Sequence, residues 1–279
     1  MIKKMLNKIL FLVCLVMLSS GSVLCQDNGF EFKIISYNIR HASPPSQPAT
    51  INTDTVAAVI RKYQPDLVAL QEVDVNTKRS GKNLDEAKEI GRKTGMNAYF
   101  AKAIDYSEGE YGVAILSKYQ MDSFKVYPLP SANETAERRV LALGFFHINK
   151  QSFVFGCTHL DAETSDDSRM MQIKVIDSIL SVQRVPVLLA GDLNSEPTSP
   201  VIKYLDRNFV RSCVNNCDLT FPSDLPVKTI DYIACGKSTS CKIISQGALR
   251  ESYPSDHLPI LADLHITINP KPTKKGKAK

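Results

Sequence analysis

Cysteine is scarce in this chain, with 7 in 279 residues, and two of them, Cys14 and Cys25, fall in the first 25 positions. So thin a supply does not supply a disulfide framework, and no Cys/His spacing of a zinc site occurs. Cys213 with Cys217 and Cys235 with Cys241 are candidate local disulfides beside loop-like segments, leaving Cys157 free in an apolar strand. Internal repeats and linkers are also missing, so residues 26–269 are expected to form one domain.

Long apolar runs are equally rare. The run "ILFLVCLVML" (9–18) is too short for a comfortable membrane span. With Lys3, Lys4 and Lys8 before it and "SSGSVLC" after it, it has the layout of a secretory signal. Val23 and Cys25 suit the small-residue positions before a cut at Gln26. The alternative, lipid anchoring at Cys25, is disfavoured by Leu24. An exported protein without stable membrane insertion is expected, with residues 1–25 removed.

The mature body also lacks a basic excess. The formal charge of +5 comes from the chain ends. Three lysines lie in the signal, and Lys271, Lys274, Lys275, Lys277 and Lys279 lie in the tail 270–279, which reads as a solvated, disordered end. Without these, 26 basic residues face 29 acidic ones, about −3 for residues 26–269. That balance disfavours a generic nucleic-acid binder, although a local basic groove stays compatible with it.

What the body does contain is an alternation of strand and helix signals. "FKIISYNI" (32–39), "DLVALQEV" (66–73), "YGVAILS" (111–117), "RRVLALGFFHI" (138–148), "SFVFGCTHL" (152–160) and "VPVLLAGDL" (185–193) read as strands, as do three later segments, "TIDYIAC", "CKIISQGAL" and "LPILADLHI". "TDTVAAVIRKYQ" puts Val56, Val59, Ile60 and Tyr63 on one helical face, with Asn52 or Thr53 as cap and Pro65 as stop. Further helices are expected at "NLDEAKEIGRKTG", closing at Gly95, at "SRMMQIKVIDSIL" and at "SPVIKYLDR". Hairpin-like pairs and crossovers together predict α/β layers with mixed sheets.

Polar residues recur where these apolar strands end: Asn38, Glu72, His159, Asp192 and Asn194. Asp231 sits inside "TIDYIA", and Asp256 and His257 precede the last strand. Any one of them reads as a loop residue or a satisfied buried group; together they predict a shared rim and one cleft. Asp192 and Asn194, two apart, are expected to leave an extended strand on the same side, with Leu193 turned into the core. Carboxylates and amides without thiolates suit a hard cation, Mg²⁺ or Mn²⁺. Two histidines add proton transfer near neutral pH. The combination points to metal-assisted hydrolysis of a phosphate ester.

At this point "SYNIR", "LQEVD", "YGVAILS", "THLD", "GDLNSEP", "IDYI" and "SDHLP" resemble, in order, the motifs of the endonuclease/exonuclease/phosphatase superfamily, over about residues 32–266. The resemblance implies a four-layer sandwich of two mixed β-sheets flanked by helices. It implies that Glu72 holds a divalent metal with Asn38 and Asp256. Asp192 would orient or deprotonate water, and Asn194 would contact the phosphate. His257, fixed by Asp231, would bind the phosphate or act as base; His159 would stabilise charge or assist the leaving oxygen, and Tyr111 would reach the phosphate. Arg40, Arg79 and Arg139 are candidates for bidentate substrate contacts.

The short stretch from Glu72 to Tyr111 leaves no room for a membrane-docking aromatic hairpin or a long DNA-gripping insertion. A compact monomeric phosphodiesterase or phosphatase acting on a small phosphoester is expected, with a secreted nuclease of the same fold as the alternative. A silent binding protein of this fold would be expected to have lost Glu72, Asp192 or His257, and all three are present.

Overall fold

Strand β1 (Gly29–Asn38) shows how the layers arise. Successive side chains on a strand point to opposite faces. Phe32 and Ile34 therefore enter one core cluster while Ile35 and Tyr37 enter another, all of them buried. Both faces of this strand are covered, which requires a layer on each side.

The computed structural model describes residues 29–148 and 151–267. The expected signal and the lysine-rich tail lie outside the described residues. After β1 come helix α1 (Thr53–Tyr63), strand β2 (Leu67–Val75), helix α2 (Glu86–Thr94), then β3 (Asn97–Tyr106) and β4 (Gly109–Ser117). Strands β5 (Ser123–Leu129), β6 (Arg139–Ile148) and β7 (Gln151–His159) follow, then helix α3 (Asp167–Ser181) and β8 (Val187–Asp192). The remainder is helix α4 (Pro200–Leu205) with β9 (Phe209–Arg211), β10 (Asp231–Gly236), β11 (Ser240–Ala248) and β12 (Ile260–Thr267).

These strands form two six-stranded mixed sheets, ordered β11-β12-β1-β2-β4-β3 and β5-β6-β7-β8-β10-β9. Phe32, Ile34, Leu67 and Ile115 of the first meet Phe153, Phe155, Leu188 and Ile233 of the second in the central core. Phe153 stacks on Phe146 at 4.8 Å and lies 4.7 Å from Phe32. Truncating such a ring costs about 3–5 kcal/mol. Helices α1 and α2 cover the outer face of the first sheet with Val56, Ile60 and Ile90. Helices α3 and α4 cover the second with Ile173, Ile176 and Ile202. The result is the four-layer sandwich expected from the sequence.

Local chemistry sets the helix ends. Asn52 accepts a hydrogen bond from the Thr55 amide at 3.3 Å, and Gln64 closes α1 in the left-handed region before Pro65. Asp85 caps α2 and Gly95 ends it at φ 71°. Three strands were not legible in the sequence: β3, β5 and β9, and each is a sheet edge. Edge strands mix exposed and half-buried positions and are often short, so their apolar alternation is weak. Disulfides join Cys213 to Cys217 and Cys235 to Cys241, with Cα atoms 5.5 and 6.4 Å apart. Cys157 is free and buried; its thiol donates to the Leu70 carbonyl at 3.4 Å, tying the sheets together. Among the described residues no helix is long and apolar enough to cross a membrane.

Candidate active site

Register alone assembles half of the site. In the second sheet His159 pairs with Asp192 across parallel strands β7 and β8, and Asp192 pairs with Asp231 across antiparallel β8 and β10. Three ionisable groups thus stand in one row at the sheet end. Gly191 permits the close approach: a Cβ there would lie 2.2 Å from the Thr158 carbonyl oxygen. All three side chains are buried.

The first sheet contributes by bending. Between Leu70 and Val73 the β2–β4 register shifts, so that β2 carries one more residue than its partner. This bulge holds Glu72 at φ 56°. Bulges re-aim side chains next to active sites, and left-handed backbone at a non-glycine residue is strained. Glu72 turns into the cleft, where Asn38 at the end of β1 meets it. The Asn38 Nδ2 group donates to Glu72 Oε1 at 3.0 Å and to Asp192 Oδ2 at 3.1 Å, joining the two sheets.

His257, on the loop before β12, completes the row. Its Nδ1 lies 3.0 Å from Asp231 Oδ2, and its Nε2 lies 3.7 Å from Asp192 Oδ2. Burial alone would lower the imidazolium pKa, but Asp231, Asp192 and Asp256 outweigh it and the pKa is raised. Burial, then the nearby Asp231, pushes the Asp192 carboxyl up. His159 goes the other way: burial and then the Arg139 guanidinium hold it far below the usual histidine range. Arg139 Nη1 lies 3.2 Å from His159 Nδ1. A guanidinium only donates, and so does the Asn194 amide nitrogen 3.0 Å from Nε2; the neutral ring accepts at one of its two nitrogens, and Nε2 also lies 3.5 Å from Asp192 Oδ2.

Asn194 corrects one expectation. Strand β8 ends at Asp192, and Asn194 lies beyond it at φ 46° with its amide donating to Asp192 Oδ1 at 2.9 Å. The two residues form an Asx turn and do not share an extended strand. The turn still serves the cleft: Asn194 Nδ2 sits 3.0 Å from His159 Nε2 and donates to the Leu160 carbonyl. Leu193 is buried in the core, as expected.

A cavity of about 420 Å³ gathers Glu72, Arg79, Tyr111, Arg139, His159, Asp192, Asn194, Asp256 and His257. Arg79 is gripped bidentately by buried Asp74 at 2.7 and 2.9 Å, and its guanidinium lies 4.5 Å from the Tyr106 ring centre. Arg139 pairs with Glu137 at 2.6 Å, while its buried Nε has no hydrogen-bond partner. Such a donor suits a phosphoryl oxygen. Arg40 does not line this cavity; it donates to the Ser43 carbonyl and faces Asp256 at 3.4 Å. Tyr106, Glu137 and Phe221 line the cavity and were missed in the sequence. Phe221 lies 4.7 Å from the His257 ring. It comes from a long irregular segment without periodic signal, whereas Glu137 sits next to the arginine pair and was readable from that neighbour.

The donors fit a hard divalent ion. Asp192, Asp231 and His257 offer ligand atoms within 4.8 Å of one another. One buried Asp231 oxygen, Oδ1, has no partner. Glu72 supplies a further carboxylate beside them, its Oε1 accepting from Asn38 Nδ2, and no thiolate competes. An acid row, a fixed imidazole pair and unspent nitrogen donors suit in-line attack of water on a bound phosphate.

Residues 35–257 match the family described as the Endonuclease/Exonuclease/phosphatase family. The exodeoxyribonuclease III of Haemophilus influenzae is 27% identical over 188 residues, spanning 63% of this chain and 62% of that protein's length. An endonuclease/exonuclease/phosphatase of Beutenbergia cavernae superposes with a TM-score of 0.68 at 21% identity, over 85% of this chain and 72% of that one. The mannosyl-6-phosphatase of Bacteroides thetaiotaomicron does so with a TM-score of 0.67 at 19% identity, over 84% and 99%. Members of the family are hydrolases of phosphoesters and are generally dependent on divalent metals. With the family match covering most of the described sandwich and every strand end that feeds the cleft, the chain belongs to the endonuclease/exonuclease/phosphatase family.

Proposed function

We propose that this chain is an exported, Mg²⁺-dependent hydrolase of small phosphoesters, with Mn²⁺ able to replace Mg²⁺. The observation that carries the reading is the junction at Asn38, whose amide holds Glu72 of one sheet and Asp192 of the other in a single cleft. Glu72 and Asn38, with Asp256 at the rim, would hold the ion. When bound, it would polarise a phosphoryl oxygen and neutralise developing charge.

The protein groups divide the remaining work. Asp192 takes the proton of the attacking water; its raised pKa makes it a better base than an exposed aspartate. His257, held protonated by Asp231 at Nδ1, donates from Nε2 to a phosphoryl oxygen and keeps one ring orientation. Neutral His159 and the Asn194 amide, 3.0 Å apart, line the same wall of the cavity and shape its polar surface there. Arg139, which lines the same cavity, takes another phosphoryl oxygen. Arg79 and Tyr111 bound the opposite side of the cavity.

Nuclease activity is the second reading, favoured by the similarity to exodeoxyribonuclease III. The slightly acidic body argues against duplex DNA as the main substrate, and the protein is proposed to act as a monomer. Hydrolysis of bis(p-nitrophenyl) phosphate and p-nitrophenyl phosphate with and without Mg²⁺, with Glu72→Ala as control, tests the reading. Metal-dependent turnover lost in the variant supports it; nicking of duplex plasmid without turnover of either ester would replace it with the nuclease.

A further inference from the structure

The cleft continues past the phosphate wall. A second chamber of about 630 Å³ opens beside the first, and the two share Ala162, Asn194, Phe221 and His257. A group bonded to a phosphate in the first chamber therefore has somewhere to go. The second chamber is built by the turns after β7 and β8 and by the segment leading into β10.

Its lining has a definite chemistry. Thr164 and Thr198 bring hydroxyls, Glu163 and Glu196 bring carboxylates, and Lys228 brings one ammonium. Ser195 also lines the chamber; it is 4% exposed, and its Oγ has no hydrogen-bond partner. A buried hydroxyl without a partner costs free energy until a ligand or water supplies one.

Charge narrows the ligand further. Arg169 lines the chamber but is fully engaged by Asp166 and by the carbonyls of Asp161, Glu163 and Thr164. Lys228 then shares the chamber with the carboxylates of Glu163 and Glu196, which Arg169 does not engage. A second phosphate placed here would meet more negative than positive charge. Neutral hydroxyls fit: they donate to Glu163 and Glu196 and accept from Lys228, beside the buried, unpartnered Ser195 hydroxyl. The Phe221 ring offers an apolar face at the boundary between the chambers.

We infer that this second chamber receives a sugar or polyol esterified to the phosphate, making the substrate a hydroxyl-rich organic phosphate in place of a nucleic-acid strand. The inference rests on the phosphoesterase reading above.

The test compares esters of glucose at its primary hydroxyl with esters of n-hexanol. Each is offered as the monoester and as its p-nitrophenyl diester, beside a short single-stranded oligonucleotide, all with Mg²⁺. The glucose ester is expected to exceed the hexyl ester in kcat/KM severalfold or more, because the hexyl chain cannot make the hydrogen bonds that the sugar hydroxyls make with Glu163, Glu196 and Lys228. Glu196→Gln and Lys228→Ala, both at exposed positions, should raise KM for the glucose ester severalfold and leave the hexyl ester unchanged. Equal turnover of the two esters, equal losses on both in the variants, or faster cleavage of the oligonucleotide would overturn the inference alone. Failure to hydrolyse any ester would overturn the phosphoesterase reading and the inference with it.

Discussion

At the cleft, the β7–β8–β10 sheet works through register and the β1–β2 sheet works through bends. His159, Asp192 and Asp231 face one another because their strands pair in step. Glu72 arrives only because β2 bulges and takes a left-handed backbone. A register row is rigid and holds groups that must exchange protons over short distances. A bulge places a carboxylate off the sheet plane, where it can meet a ligand from the side. Under the proposed function, proton and phosphate handling would fall to the second sheet and metal holding to Glu72 on the first, with Asn38 between them.

The most damaging change should be at the junction. Asp192→Ala is expected to lower kcat/KM by about 10³-fold or more, since it removes the proposed base and the partner of Asn38, His159 and His257 together. Steady-state kinetics on a p-nitrophenyl ester checks this, and a loss below tenfold would break the division between the sheets.

His257→Asn should cost about 10²–10³-fold, mainly in kcat. Asp231→Asn should imitate it more weakly, by about 10–100-fold, because it loses the carboxylate that fixes the imidazole. If this pair merely supports the loop before β12, both variants will melt earlier and keep nearly normal turnover per folded molecule. Thermal melts beside kcat therefore sharpen the comparison.

A smaller effect is expected behind the Arg79 side of the cavity. Buried Glu86 accepts from the Asp74 amide, and Asp74 grips Arg79. Burial pushes the Glu86 carboxyl up to about 8. A carboxyl whose pKa is raised on folding binds its proton more tightly in the native state. Stability is thus fully present below the unfolded pKa and falls as pH rises from about 4.3 towards 8. Glu86→Gln should remove that slope and stabilise the protein by roughly 1–2 kcal/mol near pH 8, with activity retained. Denaturant unfolding at pH 5 and pH 8 measures it; parallel pH dependence in the two proteins would contradict it.

The parts legible in the sequence were those that local pattern controls. Apolar runs located the central strands, Asn52 and Gly95 marked helix ends, and polar residues after apolar runs located the rim. The edge strands β3 and β5 escaped because half-exposed residues blur the alternation. The Asx turn at Asn194 escaped because a two-residue spacing fits both a strand and a turn, and only the Asp192 carboxylate decides. Tyr106, Phe221 and the Glu86–Asp74–Arg79 chain escaped because their importance lies in contacts between distant segments.

If the first sheet holds a metal that the second sheet's chemistry needs, turnover of the chelator-treated wild type, Glu72→Gln and His257→Asn across a Mg²⁺ titration will separate the two roles. Turnover should be absent without metal and recover with Mg²⁺ or Mn²⁺, and the apparent Mg²⁺ requirement should rise about tenfold or more in Glu72→Gln. In His257→Asn the same requirement should stay near wild type while kcat collapses. Full activity after exhaustive chelation, or the same shift in Mg²⁺ requirement in both variants, would contradict this separation of roles.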